Sequence, residues 1–321
     1  MTDDDLRALA MVPGVEGALQ TIHATLRDGG FVRDEPRVPA DERARIVASM
    51  RAADSTADEL HEVMARTGIV AELVALYACW AQELVMRGER LGGPDLDALA
   101  VELARRGHPL ADLPMQRLPL EERARVIPHR STVTSWTAWG YPFGDPGSGP
   151  VSESGVVPDR TALPDDPRIV AAYEAHLLYS NGRTDQRVVA LEPPLHAAAD
   201  PALLASLDLP CLAGGLAPEV HAIVAADAYT VLFIAATSGG AYGHPPGTAY
   251  GRRAVWRALA GLVGAADDAT LFEIDTLASA AHWSSFGNAS RWFDDVAWDI
   301  GIAAVGHEGR RLAVFAGTDT D

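Results

Sequence analysis

Apolar residues recur at helical spacing through residues 3 to about 127. Ile69, Leu73, Leu76, Tyr77, Trp80 and Leu84 fall on one face when wound at about 3.6 residues per turn, which predicts a core-facing helix. Upstream, Thr56 and Glu59 have the spacing of a capping box, in which hydroxyl and carboxylate satisfy the first unpaired amides, and Leu60, Val63 and Met64 continue the stripe. Gly68 separates these two helices. Another helix is predicted from Pro94-Asp95 through Leu96, Leu99 and Leu103 to Arg105-Arg106-Gly107, where arginines meet the negative helix end, and Pro109 prevents continuation. The segments share no fixed period, so an irregular bundle is favoured over a solenoid.

The pattern breaks between Trp136 and Pro167, where Gly, Pro and Ser dominate and Trp136, Trp139, Tyr141 and Phe143 cluster at the start. Beyond it, Asp166-Pro167 predicts a helix start, with Ile169, Val170, Tyr173 and Leu177 on its face and Asn181-Gly182 at its end. Strand signals follow. Arg187 to Leu191 is a short β-prone run, and Tyr229 to Ala236 is apolar almost throughout, as expected for a strand buried on both faces. Ile300 to Val305 and Arg311 to Ala316 flank Gly306-His307-Glu308-Gly309 and predict a hairpin. The expected fold is therefore mixed α+β: a helical region at 1–135, a Gly/Pro/Ser-rich junction at 136–167, and a region at 168–321 with a small sheet, a terminal hairpin and flanking helices.

Composition narrows the chemistry. The chain has no lysine, so all 26 basic residues are arginine, which removes Schiff-base catalysis, pyridoxal phosphate attachment and the P-loop and kinase lysines. A formal charge of −18 argues against a nucleic-acid or anionic-membrane surface. Met1-Thr2-Asp3-Asp4-Asp5 is acidic where a secretory signal needs positive charge, and no apolar run reaches about 18 residues, so a cytosolic protein is expected. Cys79 and Cys211 match no zinc or redox spacing and read as buried thiols.

The most unusual stretch runs from Thr237 to Arg253, between the expected strand and a helix through Val255, Trp256, Leu259 and Leu262. A glycine-rich loop entering a helix lets backbone amides approach an anion, which makes Gly239 and Gly240 candidate donors, Tyr242 and Tyr250 walls, and Arg252 and Arg253 charge partners in the first helical turn. The loop fits neither the Walker nor the dinucleotide pattern, and a plain connector whose arginines pair with the excess acids is the alternative. His244 and His282 are candidate proton carriers, with Ser238, Tyr242 and Tyr250 as hydroxyl partners. No G-x-S-x-G elbow surrounds any serine, so the sequence does not point to a nucleophilic triad. Asp294, Asp295 and Asp299 could hold a divalent cation through oxygen ligands, but their spacing matches no known loop, and a solvated face or pairing with arginine is preferred.

The stretches Ala236–Gly243, Ala249–Trp256 and Trp292–Asp299, with the ending Thr318-Asp319-Thr320-Asp321, resemble an uncharacterised family of bacterial proteins, a domain of unknown function, chiefly over the C-terminal third. The resemblance implies no activity, fold or ligand. The leading expectation is a cytosolic protein that binds a small phosphate- or carboxylate-bearing molecule between Gly239 and Arg253, with reaction and cofactor left open. The alternative is a non-catalytic module whose helical half docks a protein partner or a second copy.

Overall fold

The computed structural model describes residues 48, 55–71, 73–128, 136–138, 150–151, 157–214, 218–238, 246–287, 292–293 and 299–319. The chain divides into two compact units, one of Met1–Arg117, Pro128–Ser135 and Pro246–Tyr250, the other of Leu118–Ile127, Trp136–Pro245 and Gly251–Asp321.

In the first unit, α1 (Ala57–Thr67), α2 (Val74–Met86) and α3 (Pro94–Arg105) pack against one another. The Glu59 carboxylate accepts from the Thr56 N–H, as the capping spacing predicts. The central α2 is buried on nearly every side, and Leu73, Leu76, Tyr77, Trp80 and Leu84 all lie inside. Trp80 donates its indole N–H to Ser55 Oγ at 2.8 Å, and Arg117 donates to the Val85 and Met86 carbonyls, closing the end of α2. Helix α3 spans the range its sequence predicts, with proline at its first position and Gly107 at φ +61° just beyond.

The second unit is built on a six-stranded antiparallel sheet, order β3-β4-β8-β7-β6-β5, which makes the chain mixed α+β. Its strands are β3 (Asp159–Ala162), β4 (Arg183–Glu192), β5 (Glu219–Ile223), β6 (His282–Gly287), β7 (Ile300–Val305) and β8 (Arg311–Thr318). The expected hairpin is β7–β8, and Arg187 to Leu191 lies within β4. Two further short strands, β1 (Val126–Pro128) and β2 (Trp136–Ala138), pair with each other. Strand alternation sends Val189, Leu191, Val220, Phe286, Ala303, Val305, Leu312 and Val314 to one face, where they pack with Leu203, Leu204, Leu207 and Cys211 around α6 (Pro201–Ala205).

The remaining helical elements are α4 (Pro119–Arg123), a 3-10 turn at Ile169–Tyr173 running into α5 (Glu174–Tyr179), α7 (Ala225–Ser238), α8 (Gly247–Val263) and α9 (Leu271–Ala280); the 3-10 turn packs on β4 and β8, and α7 on β6. Tyr173 meets Phe315 edge-on at 5.9 Å and lies over Gly317, where an added Cβ would come within 2.9 Å of its ring. Trp283 donates to the Ala278 carbonyl of α9 at 2.8 Å.

Two elements differ from expectation. The run Tyr229 to Ala236 is the middle of α7, not a strand: Ala228, Tyr229, Leu232, Phe233 and Ala235 are at most 1% exposed, so apolar residues are required all round the helix and no 3.6-residue stripe remains to mark it. The Asp166-Pro167 signal opens a turn and a 3-10 segment before α5, because Asp166 Oδ1 accepts from the Arg168 N–H and from its guanidinium, holding the chain in a local loop.

Candidate functional site

At the C-terminal end of α7 the fold assembles Ser238, His176 and Asp319. His176 lies on α5, Ser238 is the last residue of α7, and Asp319 follows β8 immediately. His176 Nδ1 is 3.0 Å from Asp319 Oδ2, and His176 Nε2 is 3.2 Å from Ser238 Oγ. The Ser180 hydroxyl donates to the other Asp319 oxygen at 2.7 Å, and Tyr173 stacks on the imidazole at 4.1 Å and 14°. His176 is fully buried, Asp319 nearly so, and Ser238 half-buried.

The proton positions follow from the acceptors. A carboxylate only accepts, so Asp319 fixes the imidazole proton on Nδ1 and makes Nε2 an acceptor in the neutral ring; the Ser238 hydroxyl then has two acceptors in reach, the Ala235 carbonyl at 3.0 Å and Nε2 at 3.2 Å. The Ala235 carbonyl is 3.1 Å from the same Nε2 and would accept its proton once the ring is charged. The imidazole thus has a partner in both protonation states. Burial holds the His176 pKa below its ordinary value, opposed by the bonds to Asp319 and Ala235, so the free base prevails near neutral pH. Burial and the nearby negative charges of Asp319 and Asp299 push the Tyr173 phenol upward, so it stays neutral.

A second polar group lies deeper. Glu121 Oε1 accepts from Arg252 Nε at 2.7 Å, Trp256 Nε1 at 2.7 Å and Tyr229 Oη at 3.0 Å. Its Oε2 accepts from Arg252 Nη2 at 2.7 Å and the Leu118 N–H at 2.8 Å. Glu121 and Arg252 are both fully buried. Burial alone would raise the Glu121 pKa, but the Arg252 guanidinium pulls it below the ordinary carboxylate range.

The residues singled out from sequence are dispersed. Gly239, Gly240, Tyr242, His244, Asp294 and Asp295 lie outside the described residues. Since α7 is a helix, the glycine-rich segment connects two helices, and because α8 begins at Gly247, Arg252 and Arg253 occupy its second turn rather than its first. Arg252 is held by Glu121, whereas Tyr250 and Arg253 are half-buried. His282 opens β6 and is half-buried. Asp299 lines a separate cavity. Of the other acids in this half of the chain, Asp275 accepts from the Leu120 N–H at 2.8 Å, and the exposed Glu273 caps Thr270 at 2.7 Å. Sequence reasoning offered Ser238 only as a hydroxyl partner for His244 or His282, and missed His176, Glu121 and the role of Asp319. The only local signal at His176 is its place one turn after Tyr173. Among the described residues no three His, Cys, Asp or Glu side chains are arranged to hold a metal ion, and no helix is long and apolar enough to cross a membrane.

In comparison with known proteins, the family model described as a family of unknown function (DUF6183) matches residues 1–321. No curated protein and no solved structure matches the chain.

Proposed function

Because the chain belongs to that family, which carries no activity to transfer, we propose from the geometry alone that it is a serine-dependent acyl-transfer enzyme or hydrolase, with Ser238 as nucleophile. The observation that carries this reading is the continuous relay from Asp319 through both ring nitrogens of His176 to Ser238 Oγ. In the first step Ser238 Oγ attacks the carbonyl carbon of an ester, thioester or activated amide, and its proton passes to His176 Nε2. Asp319 keeps Nδ1 protonated and stabilises the resulting imidazolium. His176 then returns the proton to the leaving group, and water repeats the sequence to release the acid and restore Ser238.

Three features support the roles. Ser238, half-buried, is the most accessible member of the set, while its base and orienting acid are dry. Ser180 and Tyr173 fix the orientations of Asp319 and His176. The depressed His176 pKa keeps the base unprotonated at neutral pH.

A fluorophosphonate probe tests the proposal without a known substrate. Ser238 Oγ attacks phosphorus, fluoride leaves, and the serine proton passes to His176. The expected result is a single covalent adduct at Ser238 by intact mass and peptide mapping, absent in Ser238→Ala and slowed in Asp319→Asn. A correctly folded wild-type chain that forms no adduct, or forms it elsewhere, overturns the assignment.

A further inference from the structure

We propose a second site, independent of Ser238: a cavity at the β5–β6–β7 end of the sheet that binds a small molecule through a primary ammonium group. The cavity is about 290 Å³ and is lined by Glu219, His221, Ser285, Phe286, Gly287 and Asp299. Its position follows from strand register. β5 and β6 pair so that Glu219 faces Gly287 and His221 faces Ser285, and alternation places all four on the same side of the sheet.

Two of the polar groups there have no partner among the described residues. Ser285 is 3% exposed, yet among the described residues its hydroxyl has no hydrogen-bond partner, and the buried Nδ1 of His221 has none either. Leaving such atoms unsatisfied is unfavourable, so two on one cavity wall point to an occupant that supplies hydrogen bonds. In the neutral His221 ring the tautomer is set by Glu219, whose carboxylate lies 3.1 Å from Nε2. That carboxylate only accepts, so Nε2 carries the proton and Nδ1 faces the cavity as an acceptor.

The glycines distinguish a designed space from loose packing. At Gly301 an added Cβ would fall 2.2 Å from the Phe286 carbonyl oxygen, so glycine there is a packing requirement. At Gly287 an added Cβ would meet nothing within 4 Å, and its φ is not in the left-handed region. Neither backbone conformation nor a close neighbour demands glycine at 287. Its effect is to keep the cavity open.

Ligand class follows from the lining. His221 Nδ1 accepts, the Ser285 hydroxyl can accept, and Asp299 and Glu219 supply carboxylates, so the wall presents acceptors under negative potential. A primary ammonium brings three N–H donors and a compensating charge, whereas a carboxylate or phosphate would meet acceptors of its own sign.

Calorimetric titration of the full chain with n-butylammonium chloride, 1-butanol and sodium butyrate tests the site. Saturable binding of n-butylammonium alone is expected, weakened at least about tenfold in Asp299→Asn and in Ser285→Ala, and abolished in Gly287→Leu, which fills the space. Ser285→Ala should melt at or above the wild-type temperature, because the hydroxyl it removes has no partner among the described residues. Absence of saturable n-butylammonium binding to the wild type, equal binding of the butanol or butyrate, or unchanged affinity in a folded Gly287→Leu or Ser285→Ala each overturns the proposal.

Discussion

Two buried polar groups in the same unit are built on opposite principles. Around Glu121 five donors converge on one carboxylate, every atom is removed from solvent, and the bidentate Arg252 pair admits one arrangement of protons. Around His176 the same buried depth ends in the half-buried Ser238, and Nε2, the Ser238 hydroxyl and the Ala235 carbonyl form a triangle with sides of 3.0 to 3.2 Å, so the hydroxyl and the ring can exchange partners. The first group is saturated and can only hold the helices together. The second has a spare state, and a spare state is what proton transfer uses. Perturbed groups therefore mark chemistry only where a proton has somewhere to go, and burial by itself does not separate the two cases.

The contrast can be broken most strongly at the orienting acid. Asp319→Asn should lower the rate of Ser238 modification by fluorophosphonate about 10⁴-fold at neutral pH, since the amide favours the wrong imidazole tautomer; quenched-flow or timed mass spectrometry reads this directly. An unchanged rate would reduce the His176 constellation to a helix-end cap. Next in size, Arg252→Ala should cost about 3–5 kcal/mol in chemical denaturation, because Glu121 is left charged and dry, while Arg252→Met with Glu121→Leu should recover most of it. A mild effect of Arg252→Ala, together with lost binding of small anions, would instead return Arg252 to the ligand role suggested by its place after the glycine-rich stretch.

The pH dependence sharpens the same comparison. His176 has a folded pKa below its ordinary 6.5, so the unfolded chain binds the proton more readily, and this contribution to stability is present above about 6.5 and lost as pH falls towards the folded value. Glu121 also has a lowered folded pKa, so its contribution persists down to about 4.5, its ordinary value, and disappears below that. Thermal melts from pH 8 to 4 should show the first loss in wild type but not in His176→Gln, and the labelling rate should fall over the same acid range. Smallest of all, Thr270→Ala should cost about 1 kcal/mol by removing the cap of α9, with no change in labelling, which serves as the control for purely structural damage.

How much of this was legible in the sequence depends on the range of the interaction. The capping box at Thr56, helix Pro94–Arg105 and the β7–β8 hairpin are written in residues a few positions apart, and they stand where the pattern puts them. Helix α7 was misread as a strand because a helix enclosed on all sides loses the polar stripe that reveals its period. The site was least legible, since its bonds join residues 62 and 143 positions apart and Glu121 reaches Arg252 across 131. No local motif encodes such pairs. They follow from sheet order and helix placement, which single-residue chemistry does not specify.

The order of the sheet has a consequence in time. β8 lies between β4 and β7, yet it follows both in the chain, with more than a hundred residues between the end of β4 at Glu192 and its own start at Arg311. During synthesis the strands therefore exist as two unjoined pieces, β3–β4 and β5–β7, each with a raw edge, until residues 311–318 emerge and knit them. Asp319 arrives with that same closing strand. Under the proposed function, an unfinished chain holds Ser238 and His176 without the residue that orients the base, so nascent protein is chemically silent until its last sheet strand is in place.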